Sequence, residues 1–220
     1  MERLAYPALL LYALGVPDPI DSLARALSLR KVERVALSKL VRPPEESMRN
    51  ALKVIPPHMV RGADLGIDGF NVVITVERAL AGDPVYICSD GVVRDLTLSR
   101  SSYRPSSFFE RAVSTIREAL EQLGPGRATL YLDSPVPGSG VIAGRIRELM
   151  GGELEVRTSK RVDSEILSHE VVATSDSRIM GEARAVLDLA RFSLERIGLI
   201  PKKLFTDRGM LRGFLDDRST

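Results

Sequence analysis

The sequence predicts an α/β protein in which a mostly parallel sheet flanked by helices follows a small all-helical N-terminal module. Up to about residue 60, apolar residues recur at helical spacing only. From Gly66 onward, short apolar runs alternate with amphipathic stretches, a pattern typical of repeated β-α units. With 220 residues, of which 44% are hydrophobic and 27% charged, the chain is long enough to bury a core of this kind.

The helical module is predicted to span residues 1–60. The apolar run from Ala8 to Leu14 predicts a buried first helix, and no membrane partner is expected because a spanning segment needs about 18 residues. Further helices are predicted at SLARALSL, where Asp18 or Asp21 can act as the cap, at VERVALSKLV, and after Pro43-Pro44. The pair Pro56-Pro57 ends the module, since helices usually stop before a proline.

The predicted α/β domain spans residues 61–200. We predict strands at GIDGFNVVI, ATLYLD, LEVRTS and EVVATS, and helices at VERALAG, SSFFERAVSTIREALEQLG and SGVIAGRIRELM. The segment EARAVLDLARFSLERIG fits either a fifth strand followed by a helix or one continuous helix. Residues 201–220 form a charged C-terminal tail with two glycines, which is predicted to be a flexible arm.

An inserted hairpin is predicted at PVYICSDGVVRDLTL, where two β-branched runs flank the turn pair Asp90-Gly91. The same stretch, CSDGVVR, matches the Cys-x5-Arg loop of cysteine-dependent phosphatases. That loop must lead into a helix whose N-terminus lowers the pKa of the thiol, whereas VVRDLTL is strand-like. We therefore predict that Cys88 lies in the hairpin as a small core residue, and we keep the phosphatase as the weaker alternative.

Composition limits the possible partners and the compartment. The net charge is only +2, so a nucleic-acid partner would have to bind a local basic patch. Because Cys88 is the single cysteine, the chain can form neither an internal disulfide nor a multi-cysteine zinc site, and the expected location is the reducing cytoplasm. His58 and His169 have no partner at metal-ligand spacing, so they support neither a zinc site nor a catalytic triad.

Acidic and polar residues follow the predicted strands at the points where those strands end. They are Asp68, Asn71, Asp133, Asp163, Glu165 and Asp176. Ligands of parallel α/β sheets bind beyond the carboxyl ends of the strands, so we expect these side chains to meet in one cleft. Grouped carboxylates repel one another unless a cation neutralises them, and oxygen ligands suit Mg²⁺ or Mn²⁺. A divalent ion bound there could activate water for attack on a phosphodiester.

Three segments resemble, in the same order, motifs of the NYN branch of the PIN-like nucleases: GIDGFNV, KRVDSEIL and VVATSDSRI. The resemblance covers roughly residues 66–200 and implies a PIN-like fold and a Mg²⁺- or Mn²⁺-dependent endoribonuclease. It implies that Asp68, Asp163 and Asp176 are metal ligands and that Asn71 positions the first carboxylate or the substrate. Asp133 is added as a ligand by the strand order alone. The arrangement of the chain is also similar to an archaeal family of uncharacterised proteins, known only as domains of unknown function.

The chain departs from the NYN pattern in two places. Only SEILSH is available for the helix between Asp163 and the next strand, where the NYN branch has a full helix. Ser175 stands where a glycine is common, and Arg178 stands where a second acid is common. A catalytically inactive module that binds RNA or protein therefore stays open as the alternative function.

Candidate RNA contacts lie in two loops. The stretch RDLTLSRSSYRPSS contains Arg100, Tyr103 and Arg104, which suit single-stranded RNA if the arginines contact phosphates and the tyrosine stacks on a base. The alternative is a solvated loop whose tyrosine covers the core. Ser139, in the glycine-containing loop PVPGSGVIAGRI, either contacts a phosphate or simply caps the following helix. A homo-oligomer is also compatible with the sequence.

Overall fold

The computed structural model describes residues 1–97, 103–152 and 154–205. The helices of these ranges are α1 (Glu2–Ala13), α2 (Pro19–Ala26), α3 (Lys31–Leu40), α4 (Pro44–Ala51), α5 (Gly69–Leu80), α6 (Phe109–Leu123), α7 (Ser139–Met150), α8 (Val162–Ile166), α9 (Ser177–Glu182) and α10 (Leu189–Arg196). The strands are β1 (Asp64–Asp68), β2 (Tyr86–Ile87), β3 (Val93–Arg94), β4 (Arg127–Asp133), β5 (Glu155–Ser159), β6 (Val171–Ala173), β7 (Val186–Leu187) and β8 (Lys202–Lys203). A short 3₁₀ turn, Pro57–Val60, precedes β1.

The core of the described part is a five-stranded parallel sheet in the order β5-β4-β1-β6-β7. Counted along the chain, its strands run 3-2-1-4-5, so β1 lies in the centre with β4 on one side and β6 on the other. After β1 the chain forms β4 and β5 on one side of this central strand. It then crosses over and forms β6 and β7 on the other side. This arrangement confirms the predicted α/β fold and creates a topological switch point between β1 and β6.

Most of the predicted elements of this sheet are confirmed. Strand β4 covers ATLYLD and begins one residue earlier, at Arg127. The segments LEVRTS and EVVATS contain β5 and β6, and the two long predicted helices contain α6 and α7. The ambiguous segment EARAVLDLARFSLERIG forms the strand β7 and then the helix α10. A strand-then-helix arrangement is favoured because Asp188 ends the strand and caps the helix through the backbone N–H of Arg191.

The first predicted strand was too long. It ends at Asp68, and GFNVVI forms the start of α5 instead of extended chain. The Asp68 carboxylate accepts the backbone N–H of Asn71 at 3.3 Å and so caps the helix. The β-branched run was misleading because α5 is buried almost all round, between the sheet, α6 and α10, and therefore lacks a polar face.

The predicted hairpin is confirmed. Strands β2 and β3 pair antiparallel, and the backbone N–H of Cys88 donates to Val92 O at 2.9 Å across the turn. Gly91 has φ +82°, the left-handed conformation that glycine adopts without a steric penalty. Strand β8 pairs with β2 in parallel, so the first residues of the predicted tail are part of a three-stranded sheet. Residues 206–220 of that tail lie outside the described ranges.

The N-terminal module contains the four predicted helices, with Asp18 at the cap position of α2. Asp18 makes no side-chain cap hydrogen bond, in contrast to the expected role. Helices α1 to α3 share a hydrophobic cluster with Tyr86, Cys88 and Leu204 of the hairpin sheet. The chain after α4 also joins the main sheet at its β7 edge, where Ile55 N donates to Val186 O at 2.9 Å. Among the helices described, none combines the length and the apolar character that a bilayer crossing requires.

Candidate functional site

The switch point lies at the carboxyl ends of β1 and β6, where ligands of this class of sheet bind. Asp68 ends β1 and is only 1% exposed. Its Oδ1 accepts the backbone N–H of Asn71, and its Oδ2 accepts the hydroxyl of Thr174 at 3.1 Å. Asp68 is therefore held in one orientation by the helix that follows it and by the strand beside it.

Asn71 lies in the first turn of α5 and binds the loop after β6. Its Oδ1 accepts both the backbone N–H of Ser175, at 2.9 Å, and the Ser175 hydroxyl, at 2.8 Å. The resemblance implies that Asn71 positions the first carboxylate or the substrate. In the structure the Asn71 backbone N–H donates to the Asp68 carboxylate, whereas the Asn71 side chain binds the Ser175 loop.

Asp176 caps helix α9 and is half-buried. Its Oδ1 accepts the backbone N–H groups of Arg178, at 2.9 Å, and Ile179, at 3.4 Å. Its own backbone N–H donates to the Thr174 hydroxyl at 3.1 Å, and the same hydroxyl donates to Asp68. Thr174 thus links the two aspartates across the switch point.

The structure places the other predicted acids around this centre without bringing them into it. Asp163 lies in α8 and forms an ion pair with Arg178, two residues beyond Asp176. Asp133 ends β4 and lies opposite Ser159 of β5. Glu165 accepts a hydrogen bond from the Ser159 hydroxyl at 2.8 Å.

The predicted convergence of Asp68, Asp163 and Asp176 on one ion does not occur here: in the part of the chain that the structure describes, no three His, Cys, Asp or Glu side chains are grouped to hold a metal. The reason is the short α8, which leaves Asp163 to pair with Arg178. Mg²⁺, however, is often held by one or two carboxylates, water and substrate phosphates. Asp68 and Asp176 are the two acids whose groups bind the Thr174 hydroxyl at the carboxyl edge, Asp68 through its carboxylate and Asp176 through its backbone N–H.

The predicted RNA contacts are only partly available. Tyr103 is buried, packs edge-on against Phe70, and donates its hydroxyl to Glu77 Oε2 at 2.5 Å. Burial and Glu77 raise the pKa of Tyr103, and the prediction that its ring stacks on a base is wrong. Its ring covers the core, which is the alternative that the sequence left open. Arg104 is exposed, and Arg100 lies outside the described residues.

Ser139 is buried, in contrast to the phosphate contact predicted for it. It is the first residue of α7, and its hydroxyl donates to Ser134 O at 3.2 Å. Gly138 is the cap residue, with φ +81°, so Ser139 is also not the helix cap. The hydroxyl instead closes the loop after β4.

The phosphatase alternative is not supported. Burial raises the pKa of the Cys88 thiol to about 11, so the nucleophilic thiolate is disfavoured. Strand β3, and not a helix, follows the cysteine. Cys88 contributes to the hydrophobic cluster of the N-terminal helices, as the sequence predicts.

Several residues that hold the site together were not predicted from the sequence. Thr174 and Ser175 could have been found, since they directly precede Asp176 in VVATSD and short polar side chains at a strand end often bind backbone groups. Arg94 could not, because its contacts to the Ser175 loop join residues more than eighty positions apart. The sequence predicted no role for Asp188, which follows β7, because its segment fitted either a strand and a helix or one continuous helix.

The 3-2-1-4-5 parallel sheet and the polar switch point define this chain as a doubly wound α/β protein with a candidate ligand site at the carboxyl edge. Residues 57–192 match the family described as Domain of unknown function (DUF5616), and the chain belongs to that family. It is 31% identical over 181 residues to the uncharacterised protein MJ0935 of Methanocaldococcus jannaschii, an alignment that covers 80% of this chain and 86% of that protein. No solved structure matches the chain at a significant level.

Proposed function

We propose that the protein is a PIN-like endoribonuclease that depends on Mg²⁺ or Mn²⁺. The observation that carries the proposal is the pair of aspartates, Asp68 and Asp176, linked through Thr174 at the switch point of the sheet. The order of the motifs along the chain supports the same assignment. A bound divalent ion would lower the pKa of a water molecule and stabilise charge on the phosphate.

The residues of the chain have separate roles in this proposal. Asp68 and Asp176 would hold the ion, each already oriented by hydrogen bonds from its neighbouring helix. Asn71 and Thr174 hold the carboxyl ends of β1 and β6 together through hydrogen bonds. Because these contacts exist before substrate binds, little reorganisation is needed during the reaction.

Exposed basic side chains near the site favour RNA as the substrate. Lys160 and Arg161 follow β5 directly at the carboxyl edge, and Arg178 follows Asp176. In this part of the chain, the structure shows no ion pair between Lys160 or Arg161 and another described residue, so both charges can face a phosphodiester backbone. Lys160, Arg161 and Arg178 are called the basic edge, because they follow strands at the same carboxyl edge of the sheet as the two aspartates.

The test is cleavage of single-stranded RNA by purified protein with Mg²⁺, with Mn²⁺ and with EDTA. Asp176→Asn should abolish cleavage, since it removes one charge that holds the ion. Asparagine is as good a helix cap as aspartate, so α9 and the fold should be preserved. The matched control is Asp83→Asn, an exposed acid that pairs with Arg78 beyond the far end of α5 and should leave cleavage unchanged.

The second candidate function is an inactive RNA- or protein-binding module. It is favoured by one observation, the ion pair between Asp163 and Arg178, which places a cation where the resemblance implies a metal ligand. Tight RNA binding without cleavage in either metal would establish this alternative. Cleavage that persists in EDTA, or in Asp176→Asn, would reject the metal-dependent nuclease.

A further inference from the structure

The hairpin contains an ion pair that is buried against the candidate site. Asp90 is 0% exposed and Arg94 is 5% exposed. The two terminal nitrogens of the Arg94 guanidinium donate to the two Asp90 carboxylate oxygens, each at 2.6 Å. Burial opposes the charge of Arg94, but the hydrogen bonds that it donates to Asp90 outweigh this effect and raise the pKa of Arg94, so the guanidinium stays charged.

The remaining donors of Arg94 bind both neighbours of Asp176. Nε donates to Ser175 O at 2.7 Å, and a terminal nitrogen donates to the Ser177 hydroxyl at 3.1 Å. The same loop is held from the other side by Asn71, which accepts two hydrogen bonds from Ser175. The loop that presents Asp176 is therefore fixed between α5 and the hairpin.

The planar guanidinium is the chemical feature that allows these contacts. It presents five donors in a rigid fork, whereas a lysine ammonium presents three donors from one point. A buried ion pair often adds little stability compared with apolar residues of the same volume, because both charges must lose their hydration. The hydrogen bonds of Arg94 to the Asp176 loop therefore explain an arginine at this position better than the stability that the ion pair contributes.

We propose that Arg94, oriented by Asp90, is a positioning residue that sets the place of the Asp176 carboxylate. This inference rests on the nuclease function proposed above. Arg94 does not touch the substrate. It acts through the backbone of Ser175 and the side chain of Ser177, which flank Asp176 at the start of helix α9, while the Asp176 backbone N–H donates to the Thr174 hydroxyl.

The experiment compares Arg94→Lys with Arg147→Lys in the full chain. Lysine keeps the charge beside Asp90 but cannot reach Ser175 O and Ser177 Oγ together. Arg147 is a matched control because its guanidinium also donates two hydrogen bonds to a backbone oxygen. The acceptor is Val156 O in the outer strand β5, away from Asp176. The measurements are amide hydrogen exchange at residues 174–177 and the kcat and KM of RNA cleavage.

In Arg94→Lys we expect exchange at Ser175 and Asp176 to accelerate at least about tenfold while the rest of the sheet stays protected. We expect kcat to fall by about 100-fold with KM nearly unchanged, as for a small displacement of a catalytic group. Arg147→Lys should change neither. If Arg94→Lys does not fold, Ser177→Ala removes one acceptor of Arg94 only and should show the same changes to a smaller extent.

Unchanged exchange at residues 174–177, or loosened exchange with wild-type kcat, would overturn the positioning role and leave the nuclease intact. A wild-type protein that cleaves no RNA would reject the nuclease. Local loosening in Arg94→Lys would in that case still support Arg94 as the residue that places Asp176.

Discussion

At the residue scale, Asp188 shows how burial changes the chemistry of a carboxyl group beside the site. One oxygen accepts the backbone N–H of Val93 in the hairpin at 2.8 Å, and the other accepts that of Arg191 in α10 at 3.0 Å. Burial raises the pKa of Asp188 from 3.8 to about 6, although these hydrogen bonds and two nearby arginines act in the opposite direction. Asp188 joins the hairpin to the main sheet, so its charge affects the stability of both.

The pH dependence of stability should reveal this carboxyl group. Because its pKa is raised in the folded protein, its favourable contribution is present below about pH 4 and is lost as pH rises through about 6. Asp188→Asn cannot titrate. The free energy of unfolding of wild type minus that of Asp188→Asn should therefore fall by up to about 3 kcal/mol between pH 4 and pH 7. Urea unfolding at four pH values measures this difference, and a difference that does not vary with pH would contradict the assignment.

At the element scale, the start of α5 is determined by close packing at Gly69. A Cβ atom at this position would lie 2.4 Å from the Leu130 side chain and 2.8 Å from Tyr131 O. The helix therefore begins directly against β4, and this closeness keeps Asp68 and Asn71 at the strand end. The position requires glycine for space and not for a special backbone angle, since Gly69 has no positive φ.

Two glycine substitutions in helices should have opposite effects. Gly69→Ala should destabilise the protein by about 1–3 kcal/mol, because overpacking against β4 outweighs the better helix propensity of alanine. Gly144→Ala in α7 is the matched control. A Cβ atom there meets no atom within 4 Å, so the substitution should stabilise the protein by up to about 1 kcal/mol. Thermal unfolding of both variants tests the pair, and equal shifts of Tm would contradict the packing argument.

Helix α4 of the N-terminal module contacts the site through two hydrogen bonds of its side chains. Asn50 of α4 is 0% exposed and donates from Nδ2 to Ser177 O at 3.3 Å. Ser47 of the same helix shares a 2.8 Å hydrogen bond with Ser89 of the hairpin turn. Helix α4 thus packs beside α9 and contacts both the Asp176 loop and the hairpin turn.

At the scale of the whole molecule, charge is nearly balanced. A net charge of +2 gives little general attraction for RNA, so in the proposed function the affinity for RNA would come from the local basic edge of Lys160, Arg161 and Arg178. Arg178 is partly neutralised by Asp163. Lys160 and Arg161 are therefore the two side chains expected to contribute most of the phosphate contacts.

RNA affinity at two salt concentrations tests this distribution. Lys160→Ala combined with Arg161→Ala should weaken binding to single-stranded RNA, because two cations that attract phosphates are removed. The slope of log affinity against log salt should decrease by about 0.7 for each phosphate that the variant no longer neutralises. The control, Arg61→Ala with Arg127→Ala, removes two exposed arginines at the opposite edge of the sheet, one before β1 and one at the first position of β4. An equal drop in affinity for both pairs would show that binding is not localised to the carboxyl edge.

The sequence alone determined the class of fold, the hairpin and the acids at the strand ends, because alternating apolar runs, turn residues and strand-end aspartates are local patterns. Strand β4 ends at Asp133 as predicted, whereas β6 ends at Ala173 and Asp176 caps the helix that follows. Only the tertiary structure decided which polar groups meet. Asp163 pairs with Arg178, Tyr103 turns into the core, and Arg94 reaches the Asp176 loop from the hairpin. These contacts join residues distant in the chain, and side-chain burial and hydrogen-bond geometry, which no local pattern encodes, select them.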